Sequence, residues 1–93
     1  MIMEYTTTLG TPICYSVWTK FGEQMITAVI ECYNIRCERY YMLVDIYNVC
    51  GKWIEDMRGD ICHNKDIAIK SLNYVSGNKP IINFKTNHYE SIS

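Results

Sequence analysis

The sequence predicts an α+β fold: an antiparallel β-meander of about four strands with one α-helix packed on one face. Three observations carry this. Residues 13 to 57 alternate side chains with period two over four successive runs. Gly22 and Gly51 stand between runs where tight hairpins need a glycine. From Asn64 to Gly77 the apolar residues change to helical spacing. The 93 residues read as a single domain: an N-terminal segment (1–11), the meander (12–57), the helix (64–77) and a tail (80–93).

The first run places Ile13, Tyr15, Val17, Thr19 and Phe21 on one face and Cys14, Ser16, Trp18 and Lys20 on the other. The second places Ile26, Ala28, Ile30 and Cys32 opposite Met25, Thr27, Val29, Glu31 and Tyr33. A type II′ turn over Gly22-Glu23 pairs Phe21 with Gln24, Thr19 with Ile26, Val17 with Ala28 and Tyr15 with Ile30. The third run, Arg39 to Asn48, alternates Tyr40, Met42, Val44 and Ile46 with Tyr41, Leu43, Asp45 and Tyr47. Setting Ile30 opposite Tyr40 leaves a loop of Asn34, Ile35 and Arg36, whose last position favours a glycine that is not there. Asn48 to Lys52 reads as a type I turn closed by a bulge at Gly51, with Ile46 facing Ile54 and Tyr47 facing Trp53.

A break follows at Arg58-Gly59-Asp60. Asn64 is a capping residue for a helix over Lys65–Ser76, with Asp66 favourable in its first turn. Ala68, Leu72 and Val75 form its apolar stripe, flanked by Ile67 and Ile69. Gly77 and Pro80 end it. The tail through Ile81, Ile82, Asn83 and Phe84 fits an edge strand or a short helix equally well. If the helix covers the face of Tyr15, Val17, Ile26, Ile30, Tyr40, Val44 and Ile46, the opposite face is open. It then presents Trp18, Met25, Val29, Tyr41, Leu43, Tyr47 and Trp53, with Glu31, Arg39, Asp45 and Lys20 among them. Aromatic residues, Met and Arg are enriched at protein interfaces. The expected partner-binding set is Trp18, Val29, Glu31, Arg39, Tyr41, Leu43, Tyr47 and Trp53. The alternatives are a homodimer through the sheet, a face covered by the chain's own termini, and single-stranded nucleic acid stacked on the aromatics.

Composition and motifs narrow the function classes. A formal net charge of −1 gives no basic excess with which to follow a phosphate backbone. No apolar run approaches the roughly 20 residues of a membrane span, and the first eight residues lack the pattern of a signal peptide. A cytoplasmic location follows as an expectation, with Cys14, Cys32, Cys37, Cys50 and Cys62 as free thiols. Cys32-x4-Cys37 with Cys62-His63 resembles a zinc set, but Cys32 and Cys37 fall on opposite faces of the sheet and cannot converge. Cys62-His63 lacks an accompanying oxyanion site. Glu55, Asp56 and Asp60 read as a solvated strand end. The glycines are isolated, so no phosphate-binding loop is present. The expectation is a protein that is not an enzyme and has no metal or other cofactor.

Trp53-Ile54-Glu55-Asp56, the helix through Leu72 and Val75, and Pro80 resemble a small uncharacterised protein family of clostridia and relatives, to which no activity attaches. In size and type the chain is similar to the small anti-CRISPR inhibitors of phages and mobile elements. That likeness implies a non-enzymatic inhibitor or modulator binding a larger protein, such as a Cas effector nuclease in a host cytoplasm. Many such inhibitors are acidic mimics of nucleic acid. The charge of −1 departs from that pattern and points to contact with a protein surface instead.

Overall fold

The computed structural model describes residues 9–84; most of the N-terminal segment and the tail beyond Phe84 lie outside the described residues. The elements run β1 (Thr11–Lys20), β2 (Glu23–Tyr33), β3 (Arg39–Val49), β4 (Lys52–Cys62), α1 (Lys65–Val75) and β5 (Ile81–Asn83). They form one antiparallel sheet in the order β4-β3-β2-β1-β5 with the helix packed against it. The tail therefore begins as an edge strand, with Tyr15 opposite Ile82.

Each hairpin settles differently from its expected register. Lys20 pairs with Glu23, Val17 with Ile26 and Tyr15 with Ala28. The β1–β2 turn is thus Phe21-Gly22, with φ of 52° and 79°. Positive φ at both positions is the type I′ geometry, whose twist matches that of the flanking strands. Gly22 occupies the second central position, not the first, and this moves the pairing by two residues. A two-residue shift leaves every side chain on its expected face. An extra residue at Ile13, between the Pro12 and Cys14 pairings, is the exception and turns that side chain toward the helix.

The β2–β3 loop is longer than expected. Tyr33 pairs with Arg39, Ile30 with Met42 and Ala28 with Val44. Asn34 organises the loop, its Oδ1 accepting from the backbone N–H groups of Arg36 (2.8 Å) and Glu38 (2.9 Å). Cys37, at φ 63°, takes the left-handed position. A side chain that satisfies the loop's own backbone supports the turn without the missing glycine.

The third hairpin changes a face. Val49 pairs with Lys52, Asn48 with Trp53 and Tyr47 with Ile54 around a two-residue turn at Cys50-Gly51 (φ 52° and 86°). The expected turn was one residue longer, and a shift of one reverses β4. Trp53 consequently lies on the face opposite Tyr47. Further along, four residue steps of β4, from Met57 to Ile61, match two of β3, from Val44 to Met42. Gly59 at φ 106° lies in this bulge.

The helix is cut at both ends by its own sequence. Asn64 Oδ1 accepts from the Ile67 N–H at 3.1 Å. Past Val75, the N–H of Gly77 donates to Tyr74 O and that of Asn78 to Asn73 O, with both residues at positive φ. These two bonds make a Schellman motif.

Both sheet faces hold a core. One contains Tyr15, Ile26, Ala28, Ile30, Cys32, Val44 and Ile46, with the Phe84 ring tilted against that of Tyr15 at 4.7 Å between centroids. The other contains Cys14, Val29, Tyr41, Ala68 and Leu72. The helix thus covers the face that was expected to be open. Topology supplies the reason. The pairings make β4 and β5 parallel at opposite edges, joined through α1. Connections between parallel strands of one sheet keep a single hand, so they admit the helix on one face only.

Candidate functional site

The helix covers only half of its face, the half bearing Cys14, Val29 and Tyr41. The other half carries a chain of hydrogen bonds across the strands. Trp18 Nε1–H donates to Thr27 Oγ1 (2.8 Å), and the Thr27 hydroxyl donates to Asp45 Oδ1 (2.7 Å). Arg58 Nε–H donates to the same oxygen at 2.9 Å. Asp45 sits directly across from Asp56, and Tyr47 OH donates to Asp56 Oδ2 at 2.6 Å. Two carboxylates facing each other on adjacent strands repel. Here each has its own donor. The bond to Asp56 also pushes the Tyr47 phenol up from its ordinary pKa, because the phenol must keep its proton to donate.

The expected partner-binding residues are dispersed by the face reversal. Val29 and Tyr41 are buried beneath α1, and Leu43 is half-buried at its edge. Val29 is 0% exposed and has no surface to offer a partner. Glu31 and Arg39 are joined at 3.4 Å, with Tyr41 OH also donating to Glu31 at 3.3 Å, so they brace the neighbouring strands. Trp18 and Tyr47 remain half-buried on the uncovered half. Trp53, 51% exposed, lies on the opposite face, where the exposed Met57 follows it along β4.

At the hairpin tips Trp53 is joined by two residues outside the expected set, Phe21 and Val49. The β1–β2 and β3–β4 turns lie at the same end of the sheet and carry Phe21, Val49 and Trp53, all exposed. Phe21 is 94% exposed, and its backbone is left-handed. Asn, Asp or Gly takes that position at less cost, and a bulky residue there is strained. Lys20 Nζ lies 5.8 Å from the centre of its ring. Between the tips a shallow recess of about 330 Å³ is lined by residues that include Gln24, Ile26, Asn48 and Trp53. A sequence signal existed in the Phe-Gly pair, which is legible as a two-residue turn once the register is known.

The cysteines fall into separate environments. Cys14 and Cys32 are buried, Cys37 and Cys50 exposed in turns, and Cys62 is half-buried with its thiol directed to Asn64 O at 3.2 Å. Among the described residues no three His, Cys, Asp or Glu side chains converge on a common point. No described helix is long and apolar enough to cross a membrane. Burial pushes the thiols of Cys14 and Cys32 up from their ordinary value of 9.0. In the unfolded chain these thiols ionise first. Their contribution to stability is therefore complete below pH 9.0 and is lost as pH rises through the folded values. Two measurements check this. With Ellman's reagent, Cys37 and Cys50 should react fast, and Cys14 and Cys32 only on unfolding. The urea midpoint should fall above pH 9.0, and this fall should be reduced in Cys14→Ala relative to its own value at neutral pH.

The fold and site define a small α+β domain with an aromatic hairpin-tip surface on one side and a half-covered, hydrogen-bonded sheet face on the other. No family model, curated protein or solved structure matches the chain.

Proposed function

We propose that this protein is a non-catalytic binding module that inhibits or modulates a larger protein through the hairpin-tip end of its sheet. The observation that carries this is Phe21, a bulky apolar side chain held in a strained backbone conformation and almost wholly exposed. The hairpin needs that backbone conformation but not a phenylalanine in it; a bulky side chain strained there without burial adds nothing to the fold, and strained positions cluster at functional sites. Val49 and Trp53 at the same end supply further apolar surface, and aromatic anchors typically dominate binding energy. The hydrogen-bonded row from Trp18 to Arg58 stiffens the strands that present them. The likeness in size and type to phage-borne anti-CRISPR inhibitors directs the proposal further, to a host defence nuclease of the CRISPR-Cas kind as the partner.

The test is affinity capture from a CRISPR-bearing host lysate, followed by a cleavage assay with the nuclease captured. Wild type should retain a Cas effector and slow its cleavage. Phe21→Asn and Trp53→Ala should each weaken binding by about 2 kcal/mol, roughly thirtyfold. Phe21→Asn should at the same time raise the thermal midpoint, because Asn tolerates positive φ. Retention of the effector by both variants at wild-type affinity would remove the hairpin tips from the proposal. Capture of no nuclease, with a dimer in light scattering that the same variants dissociate, would replace the partner by a second copy.

A further inference from the structure

On the helix-bearing face, α1 and the β3–β4 half of the sheet enclose a cleft of about 540 Å³. That volume lies within the roughly 300–1,000 Å³ of small-ligand sites. Its walls are mainly apolar: Leu43 on the sheet, and Ile67, Val75 and the ring of Tyr74 on the helix. Ile67 and Tyr74, 54% and 85% exposed, turn away from the core. Among the described residues, the charged side chains that line the cleft are Arg58 and Lys70, both cations. In a chain whose net charge is −1, with ten acidic residues, that selection of cations is local. Arg58 is held by its Nε–H on Asp45, which leaves the terminal guanidinium nitrogens without a partner among the described residues. Lys70 makes no ion pair among the described residues.

We propose that this cleft binds an amphipathic organic anion, a carboxylate carried on an apolar body. The body packs against Leu43, Ile67, Val75 and Tyr74, and the carboxylate meets Lys70 and the free guanidinium nitrogens of Arg58. Arg offers several donors in a fixed planar fork, so one held at Nε is pre-oriented for a carboxylate. An inorganic anion would leave the apolar walls unused, and a neutral alcohol would leave Lys70 and the terminal guanidinium nitrogens of Arg58 unanswered. The proposal is independent of the hairpin-tip surface.

Amide NMR titration with submicellar decanoate tests it, with decanol and inorganic phosphate as controls. Decanoate should saturate, with shifts confined to residues around Leu43, Arg58 and the 67–75 segment of the helix. Decanol and phosphate should each bind at least tenfold more weakly. Lys70→Glu, on the exposed side of the helix, should keep the wild-type spectrum and lose at least tenfold in decanoate affinity. Three results would overturn the proposal: absence of saturation, equal affinity for decanol, or shifts that map to Trp53 and Met57. Unchanged decanoate affinity in Lys70→Glu would do so as well.

Discussion

Leu72→Ala should lower the free energy of unfolding by about 2–5 kcal/mol, the cost of deleting a buried leucine where neighbours relax only partly. Leu72 is 0% exposed and is the largest side chain that the helix inserts between Cys14, Val29 and Tyr41. Small domains hold only about 5–15 kcal/mol in total, so this one truncation removes a large share. Urea denaturation checks it, with Ile67→Ala as the comparison on the same helix. Ile67 is 54% exposed, and its truncation should cost well under half as much. Equal effects at the two positions would mean that the helix is not seated on this face.

Gly10→Ala should cost about 1–3 kcal/mol, as overpacking does when the neighbour cannot yield. A Cβ at this position would collide with the backbone carbonyl oxygen of Glu31 and lie 3.2 Å from Cys32 Sγ. The Glu31 carbonyl belongs to β2, which is paired on both sides. The start of β1 must therefore move instead. The thermal midpoint should fall, and amide exchange should quicken first at Thr11 and Pro12's neighbours in β1. Gly22→Ala offers a contrast: nothing lies within 4 Å of its Cβ, and its cost is confined to a backbone φ of 79°. A Gly10→Ala protein as stable as wild type would show that the chain at β1 enters the sheet differently.

The local sequence determined a good deal. Period-two alternation named β1 to β4, because side chains on a pleated strand must alternate whatever lies around them. Asn64 and Gly77 bounded the helix, because a helix end must satisfy its own backbone groups and these residues do so locally. The α+β meander and its covering helix were legible for these reasons. Turn registers were less so. Gly22 serves as either central residue of a two-residue turn, and nothing local separates the two. At the first hairpin the ambiguity was harmless, since the shift of two preserved the faces. At the third hairpin a one-residue difference sent Trp53 to the far side of the sheet.

Only the tertiary structure decided which face the helix covers. Both faces are apolar enough to build a core, so hydrophobicity does not choose between them. The choice rests on β5, a strand of three residues that joins β1 far along the chain and makes the route through α1 a crossover between parallel strands. Long-range pairing of that kind leaves no local pattern. It is also what buried Val29 and Tyr41, left Trp18 and Tyr47 on the uncovered half of that face, and made the cleft between Leu43 and Tyr74. The composition of the candidate surfaces was thus written in the residues. Their grouping into a hairpin-tip patch and a helix-walled cleft came from the handedness of one connection and the parity of one turn.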